Sequence, residues 1–587
     1  MRLLSIAVMV SMLADVRAEN LPLEIYEVPA ISSVKRLPDQ FPKDSLARGE
    51  VHFVAAKGEF EPASFVIVPN ESWDEVEFRV GPLKGEHGEI ASENLDLKVV
   101  KVWYQDGTAW YSYFADPSRK VLVPELLLND EKLIRVDEEK KGNFLRVGEE
   151  YRWISYPAEE AKEYFNYFTE PVEDAATLQP INLKKGRNKQ MWATLHVPKD
   201  TPEGLYEGDI TLTQKGKKLG TVRVKVRVLP FDLPAPKTYY DLDNDFLVSI
   251  YTTGVLDLAE RLNVPKDQAV AQQRRIYENL KNHNVRNPRS EISQHLWRKD
   301  PEKGIALLKE ELSLMKESGV ETNPLLSCEP TWLNGDASPE AFQQRIRKVL
   351  DTIHGVLGET EVYATNWDEA GYAQIRTMRD EAKYLAAFPE LKIWVTTAPG
   401  KHFNLAGYLY NYVNQAGWPT REQADVWHSV GAKIASYASP HTGPENPDTF
   451  RRWEGLARYK AKYDGSFNYK YYSALHSTLY ERQKQNVWND STGGTFRVFN
   501  MVYPTRNGVI DTLAWEGFRE GIDDIRYATL LKQRAQEAEK SGSYEARQFG
   551  LKARMWLELT AMEKTDLNTV RQEMINYILE LEKLLNK

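Results

Sequence analysis

The chain changes hydrophobic period near residue 235, and that switch limits what it can fold into. Before it, apolar residues recur every second position. Thr221–Val228 alternates strictly, and Val51–Ala55, Ser64–Val68, Lys98–Trp103 and Gly208–Thr213 are short β-rich runs, the pattern of half-buried strands. Turn signals at Lys215-Gly216 and Pro202-Glu203-Gly204 separate them. Many short strands without a long amphipathic helix predict an antiparallel β-sandwich over 19–235. The polar, acidic stretch 130–185 fits this poorly and reads as an insertion or loop excursion. Leu229–Pro236, with three prolines in eight residues, forms a stiff junction.

Beyond the junction, strands alternate with helices. Strands are expected at 245–251, 285–292, 322–329, 361–367, 391–397, 406–413, 432–438 and 467–474. Helical patterns fall at 257–282, 302–318, 338–356, 374–387, 420–430 and 447–462. This order predicts a (β/α)8 TIM barrel over 236–530. A doubly wound open sheet is the alternative, but no Gly-rich phosphate loop supports it. Helical spacing at 521–539, 543–563 and 566–586 predicts C-terminal helices, those of 531–587 packed on the barrel. The expected class is thus multidomain β plus α/β.

Composition narrows the setting. Across 587 residues there is one cysteine, Cys328, which excludes an intramolecular disulfide framework and reads as a buried strand residue. A formal charge of −9 and a mean hydropathy of −0.54 argue against a general nucleic-acid binder or an integral membrane protein. Met1-Arg2, an apolar run and the small Ala18 read as a signal peptide over 1–18. Its apolar stretch, about 12 residues, is short for a membrane span. The mature protein is therefore expected to be periplasmic or secreted.

The segment most charged with chemistry is Glu361–Gly371, where a short strand runs into Asp368-Glu369. At the C-terminal end of a barrel strand, two carboxylates can divide acid and anion roles. Adjacent strand residues face opposite ways, so both reach one pocket only where the strand ends; Ala370-Gly371 permits that turn. Other Asp-Glu pairs, such as Asp74-Glu75 and Asp380-Glu381, lie in polar or helical surroundings and read as solvated charge. Aromatic residues gather near predicted strand ends: Tyr251, Trp297, Trp332, Trp367, Tyr410, Tyr412, Trp418, Tyr437, Tyr471 and Tyr472. Their faces suit sugar rings, and as a group they point to a carbohydrate cleft. The ten histidines form no His-x-x-x-His pair, and no metal or cofactor is expected.

Asn366-Trp367-Asp368-Glu369 resembles the catalytic Asp-Glu pair of glycoside hydrolase family 123. Met501–Pro504 and Asp511–Asp524 resemble the signature of the C-terminal segment known as domain of unknown function 4091, and Leu183–Leu212 resembles the family's N-terminal domain. The resemblance implies a β-sandwich followed by a (β/α)8 barrel, and β-N-acetylgalactosaminidase chemistry by substrate-assisted retention. It makes Glu369 the general acid/base and Asp368 the residue that orients the substrate's 2-acetamido group. Asn366, Trp367, Trp332, Tyr410, Tyr437, Tyr472 and Glu516 are the expected substrate contacts, and the partner is a glycan. Two departures stand out: Ala370 where the family often has Pro, and Ala514 where the signature has Arg. Hydrolysis of a sugar lacking the acetamido group, with a protein nucleophile, and non-catalytic glycan binding are the other readings.

Overall fold

A computed structural model describes residues 22–106, 120–155, 170–252, 254–290, 300–327, 338–365, 369–371, 383–398, 411–437, 446–472 and 499–586, together with Gln374 and Trp488. The expected leader at 1–18, Cys328 and Trp297 lie outside these residues.

The N-terminal part forms two main sheets. In the first, six antiparallel strands run in the order Ala47–Arg48, Leu23–Val28, Phe60–Pro69, Lys189–His196, Leu95–Asp106 and Lys120–Leu128. The second has seven strands, with Gly204–Gln214, Lys217–Asp232 and Glu50–Lys57 adjacent and the last pair parallel. Phe65, Val99 and Met191 from the first share one apolar core with Phe53, Ile210 and Val224 from the second. The alternation read at Thr221–Val228 has a direct physical outcome. Val222, Val224, Val226 and Val228 are buried, while Arg223 and Arg227 are exposed. Of residues 130–185, those outside 156–169 are described, and they include strands where the sequence suggests a loop excursion. Ile134–Asp137, Gly142–Val147 and Glu150–Trp153 make a small antiparallel sheet, and Ile181–Leu183 joins the second main sheet. Their outward residues are charged, which hid the strand period.

After the proline-rich junction, seven parallel strands form one sheet. Their order is Leu247–Ile250, Gly465–Asn468, Lys433–Ser436, Tyr412–Gln415, Leu391–Thr397, Val362–Thr365 and Leu325–Ser327. Of the expected strand at 285–292, residues 285–290 are described, and they hydrogen-bond to both edge strands. Asn287 N donates to Val248 O at 3.1 Å, and Ser290 N donates to Leu326 O at 3.0 Å. Described helices lie in the connections before Leu325, between Ser327 and Val362, between Gln415 and Lys433 and between Ser436 and Gly465, and the sequence sets their ends. Asp300-Pro301 and Ser338-Pro339 each supply a side-chain cap followed by a proline in the first turn. Gly319 closes the Pro301–Ser318 helix in a left-handed conformation, φ +68°.

The expected 521–539 helix is longer than its apolar spacing suggested. It runs from Leu513 to Lys540, crossing residue 530, and Thr512 caps it by accepting the Trp515 N–H. Its first turns are buried all round, so they carry no amphipathic signature. Gly517 lets it approach the Pro447–Arg452 helix: an added Cβ would sit 2.2 Å from Pro447 O. The remaining two helices are Tyr544–Leu559 and Leu567–Leu585. No described helix is long and apolar enough to cross a membrane.

Candidate active site

Glu369 lies just past the C-terminal end of the Val362–Thr365 strand, with its side chain exposed. Its backbone takes a positive φ of 44°, a conformation uncommon outside glycine and frequent at functional sites. The neighbouring strand holds that turn: Glu369 N donates to Thr396 Oγ1 at 3.0 Å. On the next strands but one, Tyr437 follows Lys433–Ser436 and donates its hydroxyl to Glu369 Oε1. Tyr437 is itself buried, so the acceptor oxygen is fixed while the carboxylate stays open to solvent.

An aromatic floor supports this pair. Tyr251, just after Leu247–Ile250, has its ring 6.4 Å from Tyr437, 5.3 Å from Tyr469 and 5.9 Å from Trp394. Asn414 Nδ2 donates to the Tyr251 hydroxyl at 3.1 Å. The Arg289 guanidinium stacks over Tyr251 at 3.9 Å and over Trp394 at 4.9 Å, geometry suited to cation–π attraction in a buried setting. Beside it on the same rim, exposed Trp418 meets Trp453 at 4.5 Å, and Ser436 Oγ donates to Gly417 O.

Of the expected site residues, the structure brings together Glu369 and Tyr437. Asp368, Asn366, Trp367, Trp332 and Tyr410 lie outside the described residues. Tyr472 is buried beside Tyr471 in the main core. Glu516 is 2% exposed and its carboxylate is taken by the protein: Trp192 Nε1 donates to it at 3.1 Å, Arg519 at 2.6 Å, and His283 Nε2 lies at 3.2 Å. Tyr412, read as a rim aromatic, begins its strand and packs with Tyr363, Trp394 and Phe467 inside the sheet's curl. Arg289 and Thr396 escaped the sequence reading. An arginine at a strand end reads as solvated charge, and a threonine inside a strand reads as β-propensity.

His283, Asp511 and Glu516 bring ligand atoms within 4.8 Å of one another. Arg519 already compensates Glu516, and Asn279 Nδ2 donates to Asp511 at 2.7 Å. A cation there would face a guanidinium and would displace existing hydrogen bonds, so the donor set fits an internal ion pair better than a metal centre.

No protein-family model matches the sequence, and no curated protein is similar to it in sequence. Among solved structures, the chain is similar to a family 123 glycoside hydrolase from Clostridium perfringens, described for glycolipid glycan hydrolysis. The TM-score is 0.62 at 12% identity, covering 94% of this chain and 99% of that one. At that identity the likeness establishes a shared fold over nearly the whole chain. A Bacteroides ovatus family 5 xyloglucanase covers 81% of this chain and 99% of its own at 8% identity, with a TM-score of 0.29 that carries no argument.

Proposed function

We propose that this chain is an exported retaining glycoside hydrolase that cleaves a β-linked N-acetylhexosamine with the substrate's own acetamido group as nucleophile. The observation that carries the reading is the exposed Glu369 carboxylate at the C-terminal end of a parallel strand, with one oxygen held by Tyr437. Active sites of parallel barrels lie at that end. The fold shared with a glycan-hydrolysing family 123 enzyme supports the same reading. In it, the two N-terminal sheets are a β-sandwich, the parallel strands with residues 286–290 close a (β/α)8 barrel, and residues 1–18 direct export.

The proposed chemistry is substrate-assisted retention. Glu369 enters the reaction protonated and gives its proton to the glycosidic oxygen as the bond to the anomeric carbon breaks. The acetamido carbonyl oxygen attacks that carbon and forms an oxazolinium, whose charge Asp368 offsets through the acetamido N–H. Glu369, now a carboxylate, accepts a proton from the water that opens the ring. Tyr437 donates to Oε1 throughout and leaves Oε2 for the reacting oxygens. Trp418 on its Trp453 support offers a flat apolar face at the same rim for a sugar ring.

The test is turnover of an alkyl β-N-acetylgalactosaminide and a panel of other alkyl β-glycosides, whose leaving groups need a proton, with a thiazoline inhibitor added. Turnover blocked by thiazoline and lost in Glu369→Gln is expected. Turnover that is unchanged in Glu369→Gln, or absent on every glycoside, overturns the reading. Turnover insensitive to thiazoline removes the acetamido step.

A further inference from the structure

The outer face of the six-stranded N-terminal sheet carries a cleft of about 1080 Å³. Its floor is aliphatic, from Val66, Val100, Val102 and Leu122. Its walls come from the 34–44 segment, from the small three-stranded sheet and from residues 184–190. Nine Lys or Arg residues line it against four Asp or Glu, in a chain whose formal charge is −9. Three of the four acids, all but Asp39, are paired with lining cations. Asp44 pairs with Arg36, Glu138 with Arg187 at 2.6 Å, and Glu131 with Lys189.

That leaves a deficit of negative charge inside the cleft. Lys101 Nζ donates to a neutral acceptor, the Glu131 backbone carbonyl, at 2.9 Å. The Glu131 carboxylate pairs with Lys189 and attracts the Lys101 ammonium without bonding it. Burial pushes the Lys101 ammonium down to about 8, the direction expected of a cation short of counter-charge. Arg36 Nε is buried without an acceptor among the described residues, and its side chain is 9% exposed. Lys43 and Lys184 stand exposed at the mouth.

We propose that this cleft is a second, non-catalytic site that binds a carboxylated or sulfated glycan chain. The volume suits several sugar rings rather than one small anion. The valine floor packs on ring faces, and the cationic walls meet the acidic groups. A nucleic acid would want a run of aromatic platforms for its bases; here the floor is aliphatic, and the lining aromatics are Phe41 and a Tyr151 whose face is covered by Arg135. The choice of an anionic ligand rests on the cleft alone; the choice of a sugar chain rests on the proposed glycan hydrolase.

Titration calorimetry on the full chain, carried out with Glu369→Gln so that no ligand is consumed, tests this. The probes are a heparin-derived hexasaccharide, hexagalacturonate, cellohexaose, inorganic sulfate and a single-stranded oligonucleotide. One or both acidic hexasaccharides should bind, losing about tenfold in affinity between low salt and about 0.5 M salt. The sulfated and uronate arms identify which acid is read. Lys43→Glu with Lys184→Glu, both at exposed positions, should weaken binding at least tenfold while wild-type catalytic residues retain aryl-glycoside turnover. Lys101→Met should weaken it as well. Binding by neither acidic sugar, equal binding by cellohexaose, sulfate or the oligonucleotide, or indifference to the charge reversals overturns the inference. Acidic-sugar binding without glycosidase activity would leave this site standing and remove the hydrolase; turnover without binding would do the reverse.

Discussion

Glu369 and Glu516 each accept a hydrogen bond from a buried aromatic side chain, yet their surroundings differ in nearly every other respect. Glu369 has Tyr437 on one oxygen and solvent beside it. Glu516 has Trp192, His283 and Arg519 around it and lies in the seam between the N-terminal sheet and the Leu513–Lys540 helix. The seam continues along that helix. Arg571 pairs with Glu61 at 3.2 Å, with Asp524 at 2.7 Å and with Glu520, while Arg451 holds Asp524 at 2.8 Å. A carboxylate with one partner and an open oxygen can move a proton. One enclosed by cations and N–H donors is fixed in charge and serves assembly.

The sharpest way to break this contrast is to neutralise both kinds of residue. Glu369→Gln should lower kcat/KM on a glycan leaving group by about 10²–10⁴-fold, with a thermal midpoint close to wild type, because the side chain is exposed. Arg571→Met should do the opposite. Stranding Glu61, Glu520 and Asp524 in the seam should cost about 3–5 kcal/mol by denaturant unfolding. A wild-type unfolding curve for Arg571→Met would remove the seam from the account.

Acid sharpens the contrast within the seam. Despite burial, Arg519 and His283 hold the Glu516 carboxyl down to about 2, below its ordinary 4.5. Its stabilisation is therefore complete above pH 4.5 and lost as pH falls through 4.5 toward about 2, on the order of 3 kcal/mol. Glu59 runs the other way. Burial, with Asp523 nearby, pushes it up to about 8; Tyr527 donates to its Oε2 at 2.8 Å, and its Oε1 has no partner among the described residues. A group raised in this way favours folding while protonated and opposes it increasingly as pH rises from 4.5 toward 8. The thermal midpoint should fall on both sides of an optimum. Glu59→Gln should flatten the alkaline side and Glu516→Gln the acid side, as followed by calorimetry across pH. The smallest effect belongs to Tyr437→Phe, which frees Glu369 Oε1. About tenfold in kcat/KM is expected.

The two regions were not equally readable from sequence. Strand Leu391–Thr397 coincides with its expected span, and Glu369 stood out because a carboxylate pair follows a short strand. Its partner Tyr437 is 68 positions away and was visible only as an aromatic at a strand end. Of the expected strand at 406–413, residues 406–410 lie outside the described ones; Tyr412–Gln415 pairs into the sheet and extends past the apolar run through Asn414 and Gln415, which are buried polar residues. The seam was harder still. Arg571 and Glu61 are 510 positions apart, and in the first turns of the Leu513–Lys540 helix, buried on every side, charged residues such as Glu520 and Asp524 look like surface until their partners are found. Local periodicity reports which face of an element is apolar. It is silent on charges that neutralise one another across the fold.

The most direct test of the central claim, that Glu369 protonates the departing sugar oxygen, is leaving-group dependence. Turnover of an alkyl β-N-acetylhexosaminide, which needs a proton, is compared with turnover of the dinitrophenyl glycoside, which does not, for wild type and Glu369→Gln. The account predicts a loss of about 10³-fold on the alkyl substrate and near wild-type turnover on the dinitrophenyl one. An equal loss on both substrates, or no loss on either, would contradict it.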